Sequence, residues 1–208
     1  MKNRKTRSAM RRMLFTLALV LVVAVASVGG TIAWLKVETT PVVNTFTVGD
    51  INITLTETAT TTVDGKQTKQ FKIIPGVNLD KDPKVTVTAG SEPCYVFVKV
   101  TEANWPTFVT TEGEKLVKYT IADGWTELSN ATNDGSKVYW KKVDAAANSD
   151  VVAATELPIL KDNKVYVSGA LTKAQVQQIT TPTLTFVAYA VQQAGSAGAT
   201  EAWAKIGA

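Results

Sequence analysis

KVTVTAGSEPCYVFVKV, Lys84 to Val100, holds two strands of different character on either side of a turn. Lys84-Val85-Thr86-Val87-Thr88 alternates polar and apolar residues, the pattern of a strand with one buried and one wet face. Tyr95-Val96-Phe97-Val98-Lys99-Val100 is apolar on both faces except at Lys99, which predicts a central strand covered on both sides. Valine, isoleucine, threonine, tyrosine and phenylalanine crowd these runs, and the same period of two dominates the rest of the chain beyond its N-terminal segment.

Working outward, TFTVGDINITLT (Thr45–Thr56) changes apolar phase across Gly49-Asp50. Phe46 and Val48 lie on one parity and Ile51, Ile53 and Leu55 on the other, so a bulge is needed for a single inward face. Asp64-Gly65 has the residues of a hairpin turn leading to a strand Phe71–Ile74, which Pro75-Gly76 would stop with a type II turn. Leu116–Ile121, Val138–Val143, Lys164–Val167 and Thr183–Val191 read as further strands, with Gly124-Trp125 as a loop or strand end. Thr172 and Gln175 fit a capping box, with Leu171 and Val176 at the staple positions, and predict a helix Lys173–Ile179. A terminal helix Glu201–Ile206, capped by Thr200, would dock through Trp203 and Ile206. The expected fold is all-β, a jelly-roll-type β-sandwich with one or two short helices, preceded by an N-terminal signal helix.

The N-terminus has its own logic. MKNRKTRSAMRR carries six basic residues and no acid, and Met13 to Val28 is apolar except for Thr16 and Ser27, the form of an export signal. Sixteen helical residues reach only about 24 Å, whereas continuing through Leu35 would be long enough to span a membrane, so length leaves a cleaved signal and a retained anchor both open. Gly29-Gly30 breaks the helix, and Thr31 and Ala33 put small residues where a signal peptidase needs them, which favours cleavage after Ala33. Removing residues 1–33 leaves 16 basic against 18 acidic residues, a formal charge of −2 instead of +4. The basic pI therefore belongs to the signal, and no nucleic acid partner is expected. The division that follows is 1–33 signal peptide, 34–50 mature N-terminal segment and 51–208 β-sandwich domain.

The chain has no histidine and one cysteine, Cys94, which excludes Ser-His-Asp and Cys-His nucleophile systems and the usual zinc sites within one chain. No Gly-rich phosphate loop or nucleophile elbow occurs, so no catalytic residue, cofactor or metal is expected. Asp80 and Asp82 in LDKDP could offer oxygen to calcium, but two Asp before a Pro are more often solvated turn residues. Cys94 reads as a small apolar core residue, and the tryptophans Trp105, Trp125, Trp140 and Trp203 as core or strand-end packing rather than an aromatic binding face.

GGTIAWL at the signal boundary, NTFTVGDINITLTET after it, KIIPGVNLDKDPKVTV, CYVFVKV, LTFVAYAVQ and EAWAKI together resemble the TasA and camelysin family of Gram-positive bacteria. The resemblance runs from the signal to the last helix and is least distinct over Trp105–Val151. It implies export through a SipW-type signal peptidase and a secreted, extracellular-matrix or cell-surface location. In the TasA branch it implies polymerisation into matrix fibres, each subunit passing its mature N-terminal segment to the next as a donor strand. The donor would lie in Trp34–Leu55, with Val42, Val43, Phe46, Val48, Ile51, Ile53 and Leu55 as contacts; for Ile51–Leu55 membership of the chain's own first strand is an equal expectation. The partners would be a homopolymer of identical subunits and other matrix components. A monomeric surface adhesin or binding protein is the alternative. The peptidase label of the camelysin branch does not transfer to a chain without histidine.

Overall fold

In the computed structural model, which describes residues 49–63 and 66–206, Lys84–Val87 and Cys94–Ala103 are strands, and the rest of the fold is arranged around them. The strands among the described residues are β1 (Ile53–Thr56), β2 (Thr61–Val63), β3 (Lys66–Thr68), β4 (Leu79–Asp80), β5 (Lys84–Val87) and β6 (Cys94–Ala103). They continue as β7 (Val117–Ile121), β8 (Thr126–Leu128), β9 (Lys137–Val143), β10 (Thr155–Pro158), β11 (Leu160–Val167) and β12 (Thr183–Gln192). The short helices are α1 (Lys173–Gln178) and α2 (Ala199–Ala204).

One layer is the antiparallel sheet β12-β6-β9-β8. The other is built from β1-β5-β10 and β4-β11-β7, which continue each other across a bend. At that bend Ile159 N donates to Pro83 O (3.0 Å) and Lys81 N to Asn163 O (2.8 Å), so β4 with β5, and β10 with β11, act as two long bent strands. Pro83 and Pro158 withhold N–H groups where the ladder is interrupted, and Asp162 and Asn163 take left-handed φ values of 56° and 55°. Both residue types tolerate that conformation, and the β11–β7 register shifts between Leu160 and Val165, a bulge that bends the strand. The β2–β3 hairpin stands apart, Val63 opposite Lys66.

The core lies between the layers. Val85, Val87, Val117, Leu157, Leu160, Val165 and Val167 face Cys94, Val96, Val98, Val100 and Val143. The opposite face of β6 is also covered: Tyr95 and Phe97 join Val138 and the α2 residues Ala199, Ala202 and Trp203 in a second cluster. That is why a strand apolar on both faces is stable here, and its central place between β12 and β9 follows the sequence expectation. Trp203 rests against Phe97 and Tyr189, at centroid distances of 5.3 and 5.5 Å, and its Nε1 donates to Ala131 O at 2.9 Å.

The capping box at α1 is present, Thr172 Oγ1 accepting from Gln175 N and Gln175 Oε1 accepting from Thr172 N. Three local expectations need correction. Phe71–Ile74 forms no strand beyond a bridge from Ile74 to Val77, because β4 takes the outer edge of β11 and Phe71 covers lysine ammonium groups instead. The Pro75-Gly76 turn beside it does form, with Gly76 at φ 78° and Val77 N donating to Ile74 O. Helix α2 begins two residues earlier than Glu201, at Ala199, with Gly198 and not Thr200 at its N-cap, since Glu201 reaches back to accept from Ala197 N. β8 and β10, short and poor in β-branched residues, were not foreseen as strands.

Candidate functional site

A sandwich of this kind has two open sides, and they are closed by different chemistry. On one side β7 faces the β8–β9 end of the other sheet. There Trp105 packs edge-on against Tyr119 (5.5 Å, 83°), Tyr119 OH donates to Glu102 Oε1 at 2.6 Å, and Trp125 Nε1 donates to Pro158 O at 2.8 Å. Burial, then the Glu102 carboxylate, raises the Tyr119 hydroxyl, and burial with the Glu127 charge pushes Tyr139 up to about 12. Large, partly buried side chains with satisfied polar tips line this side.

On the other side the edge strands are β1 and β12, which approach to within 8 Å between Cα atoms yet share no strand pairing. Pairing parity fixes which way their backbones point. Gln193 N donates to Pro93 O (2.8 Å) and the β12–β6 register is continuous, so the odd residues of β12 bond to β6. Leu184, Phe186, Ala188 and Ala190 then direct their N–H and C=O groups to the free edge. Thr88 N donates to Asn52 O, so the even residues of β1 bond to β5, and Ile53 and Leu55 face outward. Among the described residues these edge groups have no strand partner.

The same residues point their side chains inward without being sealed. Ile51, Ile53, Leu55, Leu184, Phe186, Ala188 and Ala190 all pack on the core only partly buried, whereas Val85 and Val87 on β5 and Val96 and Val98 on β6 are 0% exposed. The result is a seam with an apolar floor and a row of outward amides on each edge, either of which has what strand addition to a single edge uses.

The seam is closed at both ends. At one end the β5–β6 connection crosses it: Glu92 N donates to Asp50 O at 2.9 Å, and Asn52 N donates to Ser91 Oγ at 3.1 Å. At the other end lies a charged cluster. The Lys81 ammonium sits 5.3 Å from the Phe186 ring centroid and 5.6 Å from that of Phe71, and donates to Glu57 Oε2 at 2.9 Å. Lys69 donates to Asp80 O at 3.0 Å, and Asp82 accepts from Thr58 N at 3.1 Å and from Thr58 Oγ1. The Thr58 hydroxyl bond, above all, holds the Asp82 carboxyl below its ordinary value.

Of the residues singled out as donor contacts, Ile51, Ile53 and Leu55 belong here to the chain's own domain, Ile53 opposite Val87 and Leu55 opposite Val85 in the β1–β5 ladder. The hydrophobic phase makes this possible, since their odd parity matches the inward face of β1. Val42, Val43, Phe46 and Val48, like the signal positions Thr31 and Ala33, lie outside the described residues. Asp80 and Asp82 do not converge on one point: Asp82 is engaged by Thr58, and Asp80 offers its main-chain oxygen to Lys69. Among the described residues no group of three or more acidic, Cys or His side chains is arranged to hold a metal ion. Cys94 is fully buried, and burial pushes its thiol up to about 11. Sequence reasoning passed over Glu57, Lys81 and Phe186; a lysine between two aspartates reads as solvated turn, and only the bend at Pro83 turns it inward. Searches of known protein families, curated proteins and solved structures found no match to the chain.

Proposed function

We propose that this protein is an exported structural subunit of an extracellular-matrix or cell-surface fibre, a jelly-roll domain of the TasA type that polymerises by strand addition. The acceptor is the β1/β12 seam and the donor is the mature N-terminal segment, residues 34–48, of a neighbouring copy. The observation that supports this reading is the chemistry of the β1/β12 side of the sandwich, where partly exposed aliphatic side chains lie beneath outward amides, while the β7/β8 side is lined by hydrogen-bonded aromatics. Val42, Val43, Phe46 and Val48 supply the apolar complement, and Pro41, which cannot donate, stands at the start of that run where a strand tolerates it. The subunit has no enzymatic role in this reading.

Electron microscopy of the chain beginning at Trp34, at rising concentration, tests the assignment. Filaments that vanish on deletion of residues 34–48, with a folded monomer left behind, are the expected result. Filaments of unchanged length and number after that deletion would refute donation by this segment, and a monomer at every concentration would leave the surface-adhesin alternative standing.

A further inference from the structure

Glu57 Oε1 is the one buried side-chain oxygen or nitrogen among the described residues that has no hydrogen-bond partner. Lys69 Nζ is 3.9 Å away, too far for a hydrogen bond, and the other oxygen of the same carboxylate is already held by Lys81. A buried carboxylate oxygen left unpaired is costly, so native structures pair such groups or keep them for a partner.

We infer that Glu57 sets the register of the seam, its Oε1 accepting a hydrogen bond from the mature N-terminal segment of a second copy. This rests on the strand-addition reading and names the group that recognises the donor. Glu57 immediately follows β1 and shares the parity of Ile53 and Leu55, so a strand laid along that edge reaches it last. From Ile51 to Glu57 the seam offers seven residues, about 23 Å of strand. The run Val42–Val48 also has seven. Laid antiparallel to β1, the more stable of the two ladders, it places Val48 near Ile51 and Val42 near Glu57. Pro41 has no N–H to give, so the nearest side-chain donors to the unpaired oxygen are the hydroxyls of Thr40 and Thr39, two and three residues past Val42. The slot discriminates as well as binds. A strand shifted by one residue turns Val42, Phe46 and Val48 outward and moves the two hydroxyls relative to the carboxylate, so it is disfavoured.

The test uses the mature chain beginning at Trp34 and measures its critical concentration for assembly by sedimentation. Glu57→Gln with Lys81→Met removes the carboxylate and its buried counter-charge together, and Thr39→Val with Thr40→Val removes the donors. Each pair should raise the critical concentration about tenfold, the loss of one charge-assisted hydrogen bond. All four changes together should raise it little further, because the two sides share one interaction. Lys84→Met with Glu156→Gln, an exposed ion pair on the same sheet, should leave it unchanged. Urea midpoints show whether each variant folds, and the Thr39/Thr40 pair, outside the sandwich core, decides the matter if the Glu57 pair does not. A critical concentration within about twofold of the parent for the threonine pair, or strictly additive effects, overturns the role of Glu57 while strand addition stands. Failure of the parent chain to assemble overturns both.

Discussion

Replacing Ala188 by proline should weaken fibre growth about thirtyfold while sparing the fold. Ala188 lies in the middle of β12, and pairing parity turns its N–H away from β6 toward the open edge. Proline there removes no hydrogen bond inside the subunit, and edge strands accept it where the missing N–H would face outward. Its preceding residue, Val187, is already in the extended conformation that a following proline requires. An incoming strand, however, loses one backbone hydrogen bond, worth about 1 kcal/mol net, and meets the pyrrolidine ring where its carbonyl should sit, which costs at least as much again. A total of about 2 kcal/mol per junction raises the critical concentration about thirtyfold. Val187→Pro is the counterpart: it removes a donor to Lys99 within the β12–β6 ladder and should destabilise the monomer by about 3 kcal/mol. Sedimentation for assembly and urea denaturation for stability separate the two effects. If Ala188→Pro chains assemble at the parent concentration, β12 is not an acceptor edge and the reasoning from parity to function fails.

Trp203→Ala should cost about 3–5 kcal/mol in a urea titration, because it empties the second core of a ring packed on Phe97 and Tyr189. Thr58→Val removes both the hydroxyl bond that depresses Asp82 and its contribution to stability. A carboxyl with a lowered folded-state value stabilises above its unfolded value of about 3.9 and ceases to as pH falls through the folded value. Parent and variant should therefore differ by about 1 kcal/mol at neutral pH and converge in acid; a difference independent of pH would refute the assignment. Tyr119 and Tyr139, both raised in the folded state, stabilise below the unfolded value of about 10 and cease to as pH rises through their folded values, about 12 for Tyr139, so their ionisation, followed by near-ultraviolet absorbance, should coincide with alkaline unfolding. Their titration in an intact fold would contradict the burial described above. Cys94 should react with a thiol reagent only as fast as the chain unfolds, and rapid reaction of the native protein would place it at the surface.

Most strands were legible because their residues report burial directly. The two-faced apolar run of β6, the clean alternation of β5 and the ten-residue β12 leave few other arrangements for side chains of period two. The α1 cap was legible for the same local reason, since its hydrogen bonds close within four residues. β10 and β8 were hidden: Thr155-Glu156-Leu157-Pro158 and Thr126-Glu127-Leu128 carry little β propensity and are strands only because a neighbouring ladder imposes it. The seam was half legible. Alternation assigned Ile51, Ile53 and Leu55 to one inward face, but not to their own sheet or to another subunit's.

Amino-acid order by itself determined the all-β class of the fold and the absence of histidine, and it supplied the basic and apolar N-terminal pattern on which the proposal of export and strand donation rests, because each is a property of residue type or of spacing along a few residues. Only the tertiary structure decided which strands became edges, which side of the sandwich is lined with aromatics, and that Glu57 and Lys81, 24 residues apart, meet beside Phe186 with one carboxylate oxygen left over. Those outcomes depend on register and on a bend at Pro83, and pairing between distant segments is set by the packing of the whole core rather than by any local pattern.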